Sequence, residues 1–321
     1  MNIIKTRRTQ GFPPQWIGTI ALIVFFPQDS FAWAPATHLF FAKEVLHFSS
    51  LLPAAIQALL KGYPADYLYG CIAADITIGK ALVEYIYNCH NFDVGFDLLK
   101  RAQNDSERAF VYGYLSHLAA DTVSHNYFVP YQNIEHLSSN RFRHAYWEVR
   151  LDSYFGDRVW GDVERATKNP RNHDHDRLLD NALKDTIFSF RTNKVLFSSM
   201  LAIQRLKKWQ QLVKVHDNTS RMQFNPHHLA EYNRLAVAAI ILLLTTEENS
   251  PVYRVDPTGC KTVEEAVTVR RLLRQARRSG GLSKRLHEEE CHRFRATVRK
   301  HFFEEYVIES AKFRPSIHMV L

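Results

Sequence analysis

The sequence predicts an all-α protein, and three observations carry that expectation. Apolar residues recur at helical spacing through most of the chain, and no stretch alternates with period two. Gly and Pro number only 12 each among 321 residues, few for a sheet-rich or loop-rich chain. With 46% hydrophobic and 23% charged residues, the composition is ordinary for a globular chain able to bury a sizeable core.

The first 32 residues differ in kind. Lys5, Arg7 and Arg8 precede an apolar stretch, Trp16 to Phe26, that is too short for a membrane span. Pro27 breaks it, and Ser30-Phe31-Ala32 offers small residues at the positions a signal peptidase reads. The expectation is a cleaved signal peptide over residues 1–32 and an exported, periplasmic or secreted protein, with an uncleaved anchor as the alternative. Export would place Cys71, Cys89, Cys260 and Cys291 where disulfides form, and three pairings or four free thiols stay open.

In the order of the chain, His38 to Leu46 has apolar residues at helical spacing, and Tyr67 to Leu82 reads as a second helix. Asp105 or Ser106 can cap a long helix that Pro130 should stop. Arg141 to Phe155 forms another, whereas Asp162 to Arg177 is polar and reads as a loop. Leu235 to Leu244 is apolar all round and reads as a buried central helix. Pro251 to Gly259 reads as a linker, and Val263 to Arg278 as a basic amphipathic helix. The domain expectation is therefore a helical domain over 33–260 and a basic helical extension over 261–321.

The charge supports that division. Of the formal +8, the last 61 residues hold 14 Lys/Arg against 8 Asp/Glu, and the stretch from Trp33 to Cys260 is neutral. A neutral body lacks the basic groove a polynucleotide needs. A basic tail suits an acidic surface such as an anionic membrane.

Helix geometry makes some of the sixteen histidines informative. His117, Asp121 and His125 stand at i, i+4 and i+8 on one apolar helix, so they stack along a buried face. Ionisable groups there need partners, or burial costs several kcal/mol. His144 and Glu148 repeat the i, i+4 pairing on the next helix. Asp75 lies in an apolar setting, and His90 follows it. Imidazole nitrogen with carboxylate oxygen is the ligand chemistry of zinc and similar borderline cations. Asp152 reads as a residue that orients a ligand imidazole or as a surface salt bridge. His173 to Asp176 (HDHD) reads as a solvated loop, and His227-His228 as a capping or surface pair. No Gly-rich phosphate loop, GxSxG or CxxC is present.

FAWAPATHLFFAKEVL, YGCIAADI and AFVYGYLSHLAADTVSHN, taken with HxxxE at 144–148, resemble the zinc-dependent phospholipase C family, in particular its bacterial exported branch. The same superfamily includes fungal single-strand nucleases and the catalytic domain of glycosylphosphatidylinositol-specific phospholipase D. The resemblance runs from about Trp33 to Asp152. It implies an all-α fold, a compact multi-helix domain with a buried cluster of up to three zinc ions between helices. One ion would be held by the amino nitrogen and carbonyl of Trp33 with His38 and Asp121. A second would take Asp75, His90, His117 and Asp121, and a third His125, His144 and Glu148. The family places the histidine after the bridging Asp six residues on, where this chain has His125 four on; His136 is the fallback. The implied activity is hydrolysis of phospholipid head-group phosphodiesters by metal-activated water, with Asp75 as the base. The alternatives are a nuclease or nucleotidase of the same superfamily and a non-enzymatic exported helical module with a structural metal site.

Overall fold

The computed structural model describes residues 35–76, 89–137, 143–183, 189–206, 224–300, 304 and 306, without the side chains of 143–146 and 203. Among them the chain is helical with no strand, as the missing period-two pattern requires. The helices are α1 Pro35–His47, α2 Ala54–Gly62, α3 Pro64–Ala73, α4 Phe92–Arg101, α5 Asp105–Val123 and α6 Val129–Glu135. They continue as α7 Arg143–Asp152, α8 Asp157–Thr167, α9 Asn172–Ala182, α10 Phe190–Gln204, α11 Pro226–Thr246, α12 Cys260–Arg278 and α13 Lys284–Val298. The signal segment and Trp33 lie outside the described residues.

Helix α5 is the axis of the fold. It is buried on all sides from Ala109 to Val123, with α3 and α11 packed closest to it. Its cap is Asn104, one residue before the expected pair, whose side chain accepts the Glu107 N–H at 2.9 Å. The approach of α3 to α5 depends on two facing glycines. A Cβ on Gly70 would stand 1.9 Å from the Phe110 carbonyl oxygen, and one on Gly113 would stand 2.1 Å from that of Tyr67. Backbone therefore touches backbone where the helices cross, which only residues without a Cβ allow.

Pro130 does not end the long helix. The chain passes from α5 through a π-helical turn, Ser124–Phe128, into α6. The wider i→i+5 register just before the proline absorbs its missing donor. The second helix breaks within the expected span, of which residues 77–82 lie outside the described residues. α3 stops at Ala73, and Asp75 sits on a 3₁₀ turn, Ala74–Ile76.

Two polar stretches depart from expectation in the same way. The supposed loop 162–177 belongs to α8 and α9, which bury Trp160, Val163 and Ala166, and Asn172, His175 and Leu179. Short amphipathic helices with charged outer faces read as loops when only polarity is counted. The supposed linker is packed: Val252, Pro257 and Gly259 are buried, and Asn126 Nδ2 donates to the Asp256 carbonyl at 2.8 Å. α11 is twice the length of the apolar run within it. Pro226–Asn249 is long and apolar enough to cross a membrane, but 72% of its most apolar window is buried inside the fold. The cysteines are free thiols, with Cys260 exposed and the others buried.

Candidate metal centre

Five of the expected residues converge in one place. His38 comes from the first turn of α1, Asp75 from the 3₁₀ turn after α3, His90 from the turn before α4, and His117 and Asp121 from α5. All five are buried, with at most 2% of each exposed. The glycine crossing is what makes this possible. It sets α3 so close to α5 that Asp75, just past the end of α3, meets His117, one turn beyond Gly113.

Asp121 divides its carboxylate between two sides. Oδ1 lies 3.4 Å from His38 Nε2. Oδ2 lies 3.0 Å from His90 Nε2 and 3.2 Å from His117 Nε2. Asp75 Oδ1 faces the same two imidazoles, at 3.4 Å from His90 and 3.7 Å from His117. The ring of His38 stacks on that of His117 with centroids 3.8 Å apart, and His90 meets His117 edge-on.

Main-chain contacts orient the rings. His117 Nδ1 donates to the Cys71 carbonyl oxygen at 2.9 Å, so Nε2 is the nitrogen turned to the cluster. The turn carrying His90 is held by Tyr114, whose hydroxyl donates to the Cys89 carbonyl. Burial, with His117 alongside, lowers the pKa of His38 to about 4, so this imidazole is neutral across the physiological range. Burial works the other way on Asp121, but the charge and proximity of His117, with His38 and His90, outweigh it and hold this carboxyl well below its usual range. A neutral His38 imidazole and an anionic Asp121 carboxylate are the protonation states that metal ligands require.

The donor set fits zinc. Two subsets, His38/Asp75/His117 and His90/His117/Asp121, each bring one ligand atom per residue within 4.8 Å of one another. His90 Nε2 and His117 Nε2 are 3.1 Å apart, close to the edge of about 3.3 Å that a tetrahedron with Zn–N bonds near 2.0–2.1 Å would have. Both Asp121 oxygens are buried without a well-aligned hydrogen bond among the described residues. Such an arrangement is costly unless a cation completes it.

The remaining candidates are not among the residues that meet in this core. His125 is buried in the π-helical turn, with Nδ1 donating to the Pro257 carbonyl at 2.5 Å. Glu148 is buried on α7. The side chain of His144, on the same helix, lies outside the described residues. His136 ends α6, stacked on Trp147 and 3.1 Å from Gln132 Oε1.

Among the described residues Asp152 is neither a surface ion pair nor a partner of a ligand imidazole. It is buried and accepts the main-chain N–H of Ala36 and of Thr37, each at 2.9 Å, and the Thr37 hydroxyl at 2.6 Å. It caps α1 from across the fold, satisfying donors that have no partner within the helix. The sequence signal for this role was its i+4 position after Glu148, which puts both carboxylates on one face of α7. HDHD is likewise structural. Within it, His175 donates from Nε2 to Asp66 at 3.0 Å and stacks on Phe110, pinning α9 to α3 and α5. Asp176 accepts the Tyr69 hydroxyl at 2.6 Å. His227 and His228 begin α11, where Asn225 caps His227.

Among family models, the one described as zinc dependent phospholipase C matches residues 37–195. That stretch contains every described residue of the cluster. No curated protein and no solved structure matches the chain.

Proposed function

The chain belongs to the zinc-dependent phospholipase C family, and from that premise we propose that it is an exported phosphodiesterase hydrolysing phospholipid head groups. Family membership supports a phospholipase-C-type hydrolase in general terms. The observation that carries the finer reading is the split carboxylate of Asp121, one oxygen toward His38 and the other toward His90 and His117. A carboxylate used from both oxygens is suited to joining two cations, and the phosphodiester chemistry of two-metal sites needs such a pair.

His38, His90, His117, Asp75 and Asp121 would hold the metal in the described part of the site, and Trp33, His125, His144 and Glu148 would complete a set of up to three zinc ions. Bound there, zinc would supply Lewis acidity toward the phosphoryl oxygens and bring the pKa of water toward neutrality. The chain's own part is positional. Asp75 stands at the edge of the cluster, beside His90 and His117, and would hold the proton of the attacking water through Oδ1. Asp121 supplies fixed negative charge at the centre. The Cys71 carbonyl keeps His117 Nδ1 protonated, so that Nε2 cannot turn away from the site. Cleavage between phosphorus and the glycerol oxygen would release diacylglycerol and a phosphorylated head group.

The test compares Asp75→Asn with the wild type for zinc content and for head-group release from a panel of phospholipids. Turnover per bound zinc should fall by about 10²–10⁴ with the fold retained, the usual weight of a general base. Undiminished turnover would remove Asp75 from the mechanism. A zinc-loaded wild type inactive on every phospholipid but active on single-stranded DNA or nucleotides would move the reading to the nuclease branch. One residue added before Trp33 tests export and processing together. If cleavage exposes the Trp33 amino group as a ligand, that insertion lowers zinc content and leaves helicity unchanged.

A further inference from the structure

Helix α12 distributes its charge unevenly. Its acids, Glu264 and Glu265, lie in the first half, and the stretch Arg270–Arg278 holds five arginines and no acid. Arg270, Arg271, Arg274, Arg277 and Arg278 have no carboxylate within ion-pair distance among the described residues. The next helix shows that this is not general to the tail. In α13, Lys284 pairs with Glu288, Arg285 with Glu289, Arg293 with Glu290, and Arg295 with Glu231 of α11. Like charges repeated at i+3 and i+4 destabilise a helix, and α12 carries them without internal compensation.

The helix cannot roll to hide them. Thr262, Ala266 and Leu273 are buried beneath it, where it packs on α6 and the π-helical turn. The opposite face, Val267, Arg270, Arg271, Arg274, Gln275 and Arg278, lines an open groove of about 370 Å³. Val267 and, on the flank, Leu272 are exposed.

We propose that this arginine face is a docking surface for an anionic phospholipid bilayer. Guanidinium groups pair bidentately with phosphate and carboxylate head groups, and the exposed Val267 and Leu272 suit shallow burial among them. The helix has no aromatic side chain on which a base could stack, which disfavours single-stranded nucleic acid as the occupant. The placement separates docking from chemistry. Gly259, before the first residue of α12, packs against His125, while the arginines start about 15 Å farther along the axis at 1.5 Å per residue. The surface would hold the body at an interface without contributing a residue to the cluster. Its benefit to turnover rests on the phospholipase reading; the docking itself does not.

The experiment uses the full chain and a variant with Arg270, Arg271, Arg274 and Arg278 changed to Gln. Co-sedimentation is measured with vesicles of phosphatidylcholine alone and of phosphatidylcholine containing phosphatidylserine. The wild type should bind the anionic vesicles selectively and lose binding as salt rises. At about fivefold per basic residue near an anionic surface, the variant should bind roughly a hundredfold more weakly or worse. A matched set of Arg→Lys changes should retain most of the binding, which separates charge from packing, and circular dichroism should be the same for all three proteins. Hydrolysis of a monomeric short-chain phospholipid should be unaffected. Equal binding to both vesicle types, or full binding by the Gln variant, overturns the proposal. So does binding to single-stranded DNA without binding to vesicles. Vesicle binding by a protein inactive on phospholipids would sink the function above and leave the docking surface standing.

Discussion

Asp152, the last residue of α7, accepts both the main-chain N–H and the hydroxyl of Thr37, the residue before His38. One carboxylate thus fixes the start of α1 and, through it, the position of a cluster imidazole. The helix carrying Glu148 and the helix carrying His38 are tied by a buried contact 115 residues apart in the chain.

Asp152→Ala should therefore act on stability and on zinc together. It strips the cap from α1 and leaves the buried Ala36 and Thr37 donors without their acceptor. Urea unfolding should show a loss of about 1–3 kcal/mol. Zinc titration should show weaker binding, because His38 is the next residue. A variant with wild-type stability and zinc affinity would mean that the cap is dispensable.

The same residue gives a pH dependence of definite sign. Burial pushes the Asp152 carboxyl from 3.8 up to about 7, against the pull of the three hydrogen bonds it accepts. The unfolded chain therefore gives up this proton near pH 4 and the folded chain near pH 7. Stability from this group is greatest below the lower value and falls as pH rises through the window between them. In zinc-free protein, the gap in melting temperature between wild type and Asp152→Asn should drift against the wild type from about pH 4 to pH 7. Thermal scans of both proteins across that range measure it, and a gap that is flat or drifts the other way refutes it.

Gly113→Ala probes the helix crossing. Its methyl group would stand 2.1 Å from the Tyr67 carbonyl oxygen and 2.9 Å from Gly70 Cα, and main chain cannot swing aside as a side chain can. The crossing must open, at about 3 kcal/mol or more, and zinc should be lost with it because Asp75 and His117 then separate. Gly62→Ala at the end of α2 meets nothing within 4 Å and serves as the control, neutral or slightly stabilising. Equal stability of the two variants would count against backbone contact at the crossing.

Asp121→Asn tests the shared carboxylate. Because both ligand groups lean on Asp121, the variant should lose more than one equivalent of zinc in elemental analysis of dialysed protein. Chelation of the wild type should lower its melting temperature for the same reason, since metal that binds only the folded chain stabilises it. Wild-type zinc content in Asp121→Asn would exclude the bridging role.

The legible part of this protein is local. The pair His117 and Asp121 follows from helical period alone, and so does the charged face of α12, whereas His125 falls in the π-helical turn and bonds the Pro257 carbonyl. The misread parts are those in which polarity stood in for exposure. Residues 162–177 read as loop because their outward faces are charged, although Trp160, Val163 and Ala166 recur at helical spacing on the buried side of α8, and Asn172, His175 and Leu179 on that of α9. Residues 251–259 read as a linker because Pro and Gly punctuate them. Gly259 is needed there for a left-handed turn, φ 60°, pressed against His125.

Reading along the chain suffices for an all-helical fold, for the buried pair His117 and Asp121 on α5, and for a family resemblance that orders the remaining ligands. Helical period relates residues three or four apart, so a single strand of text suffices to read it. Packing settles that His38, Asp75 and His90 meet that pair, that Asp121 turns one oxygen to each side, and that Asp152 caps α1. Those relations depend on how closely helices approach, and approach is set by the absence of a Cβ at Gly70 and Gly113 and by the donors α1 leaves unsatisfied. Neither quantity has a period along the chain; both exist only once the helices pack.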